Sequence, residues 1–181
     1  MTACMMSVRD ELAAATAGVH QRVDAWCDGF ALDTAAGCAG FLAYFANGFA
    51  PLEARLSADG AGALYPPFAA RRRAHLLPSG ETLPLPPFRG AAAVWGALYV
   101  MEGARLGNAA LAHRHPALAR HAYFWPDEKG AWRRFLRALE AADRTLVDRE
   151  GMVEGARAAF APFVPLTVPP AAGCARQRVG A

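Results

Sequence analysis

The sequence has few cysteines, and none of them stands in a metal-binding pattern. Its four cysteines are scattered, with no C-x-x-C pair and no companion histidine. Zinc sites and disulfide frameworks need clustered ligands, so both are excluded, and the pattern is typical of a reducing cytosol. The start of the chain lacks the features of a signal peptide, and we find no apolar run long enough to cross a bilayer. We therefore expect a cytoplasmic protein with no membrane partner.

Strong positive charge is also lacking. The net charge is +3, the chain has almost no lysine, and the longest basic run is the three arginines at residues 71–73. Nucleic-acid binding is typical of basic stretches interleaved with aromatic residues, so we expect no nucleic-acid partner. We interpret the basic run as a solvated helix edge.

The sequence does contain helical periodicity. Apolar residues such as Val8, Leu12 and Val19 recur at helical spacing after a capping pattern at Ser7, which predicts a first helix over residues 7–27. Similar patterns predict further helices from residue 34 or 37 past Pro51, and over residues 68–76, 91–115, 131–146 and 152–163. No segment alternates like a strand. The fold class is therefore all-α, with one helical domain over residues 1–163 and a flexible tail over residues 164–181.

Interior glycines distinguish the helix predicted over residues 91–115. The stretch "YVMEGARLGNAAL" holds Gly103 and Gly107, and Gly96 lies seven residues before Gly103. Each interior glycine costs a helix roughly 0.5–1 kcal/mol, and these three fall within about 40° of one another around the axis. The bare face admits either a close neighbouring helix or a flat ligand against a helix free to bend. Three polar residues exclude a membrane dimer: Glu102, Arg105 and Asn108.

A single histidine in the first helix is the best candidate ligand residue. His20 lies at the edge of the apolar stripe, beside Thr16. There an imidazole can reach a ligand held between two helices, and neutral imidazole is a good axial ligand for haem iron. A half-exposed surface histidine is the alternative that this helix alone leaves open. His113 and His115 point about 200° apart on a helix and cannot share a metal ion.

Two stretches together resemble a known family. "VRDELAAATAGVHQRVD" followed by "GALYVMEGARLGNAAL" is similar to the biliverdin-producing haem oxygenases, in particular to the bacterial branch associated with bacteriophytochromes. Partial matches at "FLAYFANGFAPLEARL", "AWRRFLRALE" and "VEGARAAFAPF" extend the resemblance over about residues 7–163. It implies a multi-helix bundle that holds haem between a proximal helix and a kinked distal helix.

The resemblance also implies site residues. His20 matches the axial haem ligand, and Gly103 and Gly107 match the glycines at which the distal helix kinks. Arg133 and Arg137 align with basic residues that hold the haem propionates, and an arginine fork suits carboxylates. Other candidates for contact with haem are Thr16 and, as weaker propionate partners, Arg9 and Arg22.

The implied reaction is oxidative cleavage of haem, at once substrate and cofactor, to biliverdin, CO and iron. The porphyrin is itself the molecule oxidised, so the protein supplies no nucleophile. Because the sequence has no flavin or nicotinamide motif, a ferredoxin or a flavoprotein reductase is expected as electron donor. A bacteriophytochrome is a possible acceptor of the biliverdin.

The chain departs from the family pattern at two positions. Some branches have aspartate where this chain has Ala104, and many have a second glycine where it has Asn108. The proline-rich residues 76–88 also differ from the family's helix–turn–helix. These departures leave open a non-catalytic carrier or sensor that binds haem or a bilin. A helical interaction protein that packs a partner helix on the glycine face is a third possibility.

Overall fold

Seven α-helices make up most of the residues that this computed structural model describes, which are 6–77 and 85–164. They are α1 (Val8–Cys27), α2 (Ala35–Ala58), α3 (Ala61–Leu64), α4 (Pro66–Ala70), α5 (Gly90–Arg114), α6 (Ala131–Leu146) and α7 (Arg149–Ala159). Short 3-10 turns cover Ala74–Leu76, Leu118–Arg120, Ala122–Phe124 and Ala161–Phe163. The described ranges contain no strand, so the all-α prediction is confirmed. The predicted limit of the domain at residue 163 stays a prediction, and residues 165–181 of the predicted tail lie outside the described residues.

Helix α1 begins where the sequence predicts because Ser7 caps it. The Ser7 hydroxyl oxygen accepts a hydrogen bond from the Asp10 amide at 3.1 Å, and the hydroxyl donates to the Asp10 carboxylate at 2.8 Å. At the start of α2, Thr34 accepts a hydrogen bond from the Gly37 amide at 3.0 Å. Each cap satisfies an amide that helix geometry leaves unpaired.

Helix α2 supplies the centre of the hydrophobic core and continues past Pro51, as predicted. Phe41, Phe45 and Phe49 recur one turn apart, and their ring centroids lie 4.2 Å and 5.1 Å apart. The ring of Phe49 then packs 4.4 Å from that of Phe163, which follows α7. This aromatic row joins α2 to the end of the chain's last described helix.

By length and composition alone, α2 is also long and apolar enough to cross a membrane, and it is the one such helix in the described part of the chain. The expectation of no such run is therefore wrong by that measure. Within the protein, 44% of its most apolar stretch is buried, and Leu52 and Leu56 are fully enclosed. A core helix passes the same test, so this finding does not assign the chain to a membrane.

Helices α5 and α7 pack with backbone against backbone. A Cβ added to Gly96 of α5 would stand 1.8 Å from the carbonyl oxygen of Met152. A Cβ added to Gly155 of α7 would stand 2.0 Å from the carbonyl oxygen of Ala93. The two contacts pair a later residue of α5 with an earlier residue of α7, so the helices run antiparallel. Gly96 therefore serves helix packing, the first of the two uses that the sequence left open for the glycine face.

Helix α7 also lies along α1, in the same direction. Its first residue, Arg149, forms an ion pair with Glu11 at 3.0 Å. Two turns later, the Nε of Arg157 donates to the carbonyl oxygen of Ala15 at 3.3 Å. Since the contacts advance together on both helices, α7 and α1 are parallel, and α7 lies between α1 and α5.

The prediction of a helix over residues 68–76 is wrong. Helix α4 ends at Ala70, and Glu53 of α2 binds the segment after it. The buried Glu53 carboxylate accepts hydrogen bonds from the amides of Arg73 at 2.9 Å and Ala74 at 3.1 Å. Those amides bind a side chain of another helix, so the α-helix does not continue past Ala70, and within the predicted range only the 3-10 turn at Ala74–Leu76 follows. Residues 78–84 of the proline-rich stretch lie outside the described residues.

Candidate functional site

The imidazole of His20 is exposed and held at one nitrogen. Its side chain is 62% exposed, and its Nδ1 lies 2.9 Å from the Asp24 carboxylate one turn later. The ring also meets the ring of Phe160 edge-on, with centroids 5.9 Å apart. Among the described residues Nε2 has no hydrogen-bond partner. A carboxylate on one imidazole nitrogen fixes the tautomer and leaves the other nitrogen free for a metal, so these residues fit an axial ligand of haem iron.

The surface around His20 on α1 carries small side chains. Ala13, Ala17, His20 and Asp24 share one helical face, and all four are exposed. Thr16 lies beside this face but is buried, and its hydroxyl donates to the Leu12 carbonyl at 2.7 Å. The small face leaves the imidazole accessible to a flat ligand. A haem contact from Thr16 stays a prediction.

The glycine face of α5, which consists of Gly103 and Gly107 with their exposed neighbours Leu106 and Ala110, is open to solvent. Among the residues that the structure describes, a Cβ on Gly107 would have nothing within 4 Å, and one on Gly103 would meet only the Trp132 ring, at 3.7 Å. Leu106 is 57% exposed, and Ala110 is exposed too. Helix α5 is continuous through both glycines. The side of α5 that carries the three glycines is therefore packed against α7 at Gly96 and exposed beyond Gly103.

The structure does not bring His20 and the glycine face together. Tyr99, one turn before Gly103, lies close to the first turn of α1: burial raises the pKa of its hydroxyl, while the charge of Arg9 opposes that rise and the charge of Asp10 adds to it. His20 is farther along α1 than Asp10 by about 15 Å at the usual rise per residue. Helix α1 is parallel to α7, and α7 is antiparallel to α5, so α1 runs antiparallel to α5. His20 therefore lies toward the end of α5 that is opposite to the glycine face. The two predicted halves of the site occupy separate stretches of the bundle, and their joint role stays a prediction.

The predicted propionate partners on α6 are free to bind an anion. Arg133 and Arg137 are exposed, and neither forms an ion pair within the described ranges. Arg133 directly follows Trp132, whose ring covers Gly103, so it belongs to the glycine end of the bundle, and Arg137 lies one turn farther along α6. Arg22 instead lies about 200° around α1 from His20, where it lines a cavity of about 350 Å³ together with Phe160. Arg9 belongs to the first turn of α1, where its charge opposes the rise in the pKa of Tyr99.

A buried charged cluster on the opposite face of α5 is the feature that the sequence analysis missed. Glu102, Arg105 and Asn108 are all buried there, about 180° from the glycines. Glu102 accepts a hydrogen bond from Arg71, whose second nitrogen lies 3.3 Å from Asp127. The solvated-edge interpretation of residues 71–73 is therefore wrong for Arg71, which is almost buried. The spacing of the three polar α5 residues, which puts them on one face of the helix, already indicated this cluster. The sequence analysis took these residues only as evidence against a membrane dimer.

Asn108 belongs to this cluster and not to the glycine face. Its amide lies beside the hydroxyl of Tyr123, whose pKa is raised above its ordinary value by burial despite that amide. Ala104 is partly buried against the core. Neither position where the chain departs from the family pattern thus puts a polar side chain on the glycine face. In the described part of the chain, no group of three or more potential metal-binding side chains occurs either.

The titration of Glu102 leads to a prediction about stability. Burial raises its pKa above the ordinary value of 4.5, although Arg105 and Arg71 oppose the rise. The folded protein then holds this proton more tightly than the unfolded chain does. The contribution of Glu102 to stability is therefore largest below pH 4.5 and falls as the pH rises toward the raised pKa. We expect Glu102→Gln, which cannot titrate, to lose this decline when the free energy of unfolding in urea is measured across that range. Parallel pH profiles for the two proteins would contradict the prediction.

Comparison with known proteins gives one match. The chain is similar to a protein named "Heme oxygenase" from Xanthomonas campestris pv. campestris (strain 8004), with 36% identity over 85 residues. The match covers 43% of this chain and 52% of the relative, so the chain spans about half the length of the curated relative that it matches. No family model matches the sequence, and no solved structure matches it. The match supports a relation to the haem oxygenases, while the bacteriophytochrome-associated branch stays a prediction.

Proposed function

We propose that the chain is a haem oxygenase that binds haem through Nε2 of His20 and converts it, with O₂ and electrons, to biliverdin, CO and iron. The observation that carries the proposal is the His20–Asp24 pair, which leaves Nε2 accessible on a face of small side chains. The 36% identity to a protein named "Heme oxygenase" supports the same activity.

The residues around His20 orient its imidazole so that Nε2 could bind the haem iron. The Asp24 carboxylate accepts a hydrogen bond from Nδ1–H of His20, so the lone pair is on Nε2, and the negative charge of Asp24 makes Nε2 a stronger metal ligand. The edge-on ring of Phe160 limits rotation of the imidazole. When bound, haem supplies both the iron that reacts with O₂ and the porphyrin carbon that is oxidised. The protein contributes an axial ligand and a place to hold the ring.

The glycine face and the arginines of α6 have a separate part in the proposal. A helix face without side chains leaves room for O₂ and ordered water against the backbone. Arg133 and Arg137 are free to bind two carboxylates. In the structure this face and His20 lie along different stretches of the bundle. The role of His20 as the iron ligand and the role of the glycine face are therefore tested by different variants.

The reaction needs partners that the chain does not contain. A ferredoxin or a flavoprotein reductase would deliver the electrons, and the net charge of +3 favours an acidic donor. A bacteriophytochrome is the proposed acceptor of biliverdin.

A second candidate is a haem- or bilin-binding carrier without turnover. It is favoured by the absence of a polar side chain at Ala104 and by the position of Asn108 on the buried side of α5. An oxygenase must order water near the iron, and neither residue can do so from its own side chain on the glycine face.

One experiment separates these functions. Hemin is added to the purified protein, the Soret band is recorded, and a reductant is then supplied under air. Conversion to a green bilin with release of CO is the result expected of an oxygenase. A Soret band that persists under reduction identifies a carrier or sensor. Absence of hemin binding would contradict both and leave an interaction protein that packs a helix on the glycine face.

A further inference from the structure

Arg71 connects several segments at the buried side of α5. Its Nη2 donates to the Glu102 carboxylate and lies 3.3 Å from the Tyr65 hydroxyl, while Nη1 lies 3.3 Å from Asp127. Its backbone carbonyl accepts a hydrogen bond from Arg105 at 2.6 Å. Through one residue, the end of α4 and the loop before α6 are both joined to α5.

The part of α5 that Arg71 holds is the part that the glycines leave without packing. Before residue 102, α5 is fixed by its backbone contact with α7 at Gly96. Beyond it, a Cβ on Gly107 would meet nothing within 4 Å in the described part of the chain, and one on Gly103 would meet a single ring there. The contacts on these turns come mainly from the opposite side, where Glu102 and Arg105 bind Arg71. The position of the glycine face in the bundle therefore depends on the buried cluster.

We propose that Arg71 is a positioning residue for the glycine face of α5. It fixes the Cα of Glu102, which directly precedes Gly103, relative to α4 and to the loop that carries Asp127. An arginine is needed because its planar fork reaches Glu102, Asp127 and Tyr65 at once, whereas a lysine ammonium is a single point charge. As a statement about catalysis this inference rests on the proposed function, since it assigns the glycine face to the haem reaction.

The first test does not need haem. In Arg71→Lys, we expect the amides of residues 103–108 to exchange hydrogen at least about tenfold faster than in the wild type, because local opening becomes easier. Amides of residues 94–98, which α7 holds, should exchange at the wild-type rate. Equal acceleration along the whole of α5 would show general destabilisation and overturn the proposal, as would no change. Should the lysine variant fail to fold, Asp127→Asn, which keeps the shape and removes the charge 3.3 Å from Arg71, is measured in its place.

The matched control is Arg72→Lys in the same tripeptide. Arg72 is 42% exposed and lies 3.5 Å from Glu53, outside the Arg71 cluster, so it should leave the exchange of residues 103–108 unchanged.

The second test uses hemin-loaded protein. For Arg71→Lys we expect the hemin Kd to stay within about twofold while the turnover number falls at least about tenfold, because the ligand site on α1 is intact. A loss of affinity without loss of turnover would overturn a positioning role. If wild-type protein does not bind hemin, the proposed function fails, and the hydrogen-exchange result still decides whether Arg71 fixes the glycine face.

Discussion

Replacement of His20 with alanine is expected to weaken hemin binding by about a hundredfold or more and to shift the Soret band of any hemin that remains. The variant removes the nitrogen that would bind the iron, and α1 has no second histidine to replace it. Loss of an outer partner such as a carboxylate typically costs about 10–100-fold in metal affinity, so loss of the ligand itself should cost more. Absorption titration of the purified variant with hemin measures both effects.

Asp24→Asn is the informative companion to this variant. It keeps the size of the side chain but removes the charge that holds Nδ1 of His20, so we expect a weaker effect, about tenfold in affinity. His121→Ala, in the loop after α5, removes a different histidine and should bind hemin like the wild type. The axial assignment would be refuted if His20→Ala kept the affinity and the spectrum of the wild type.

Opposite effects on stability are expected from alanine at two glycines of the same helix. Gly96→Ala places a methyl group 1.8 Å from the Met152 carbonyl oxygen, so α5 and α7 must move apart, at a cost of about 2–3 kcal/mol. Gly107→Ala enters open space and should stabilise the helix by about 0.5–1 kcal/mol. The free energy of unfolding in urea measures both. A neutral Gly96→Ala would contradict the backbone contact between the helices.

Gly107→Ala also tests the purpose of the glycine face. If the face serves the haem reaction, the stabilised variant should turn over hemin more slowly, because the methyl group occupies space meant for ligand or water. Gly18→Ala on α1 is the matched control, since its Cβ also meets nothing within 4 Å. Wild-type turnover in Gly107→Ala would limit the role of this glycine to helix flexibility.

The helices of this chain were predictable because their signals are local. Capping at Ser7, the apolar period of α1 and that of α6 each lie within one helix, so they can be read without knowing how the helices pack. The exposure of His20 at the edge of its stripe is local in the same way.

The buried cluster and the role of Gly96 were not predictable in this way. Arg71 and Glu102 are 31 residues apart, so their pairing depends on how α4 packs against α5. Gly96 and Gly103 lie at nearly the same angle around the helix, and only the position of α7 determines which of them is covered. The separation of His20 from the glycine face likewise depends on the direction in which α1 runs relative to α5.

The contact between α5 and α7 has a consequence for genetic suppression. At Gly96 and Gly155 the obstructing atoms are main-chain carbonyls, which every amino acid carries, so truncating a neighbouring side chain cannot make room for a larger residue at either position. At Gly48 of α2, by contrast, an added Cβ would meet the ring of Phe163 at 2.1 Å. A selection for revertants should therefore recover a smaller residue at Phe163 from a Gly48→Ala parent. From Gly96→Ala or Gly155→Ala parents it should recover no smaller residue at a contacting position.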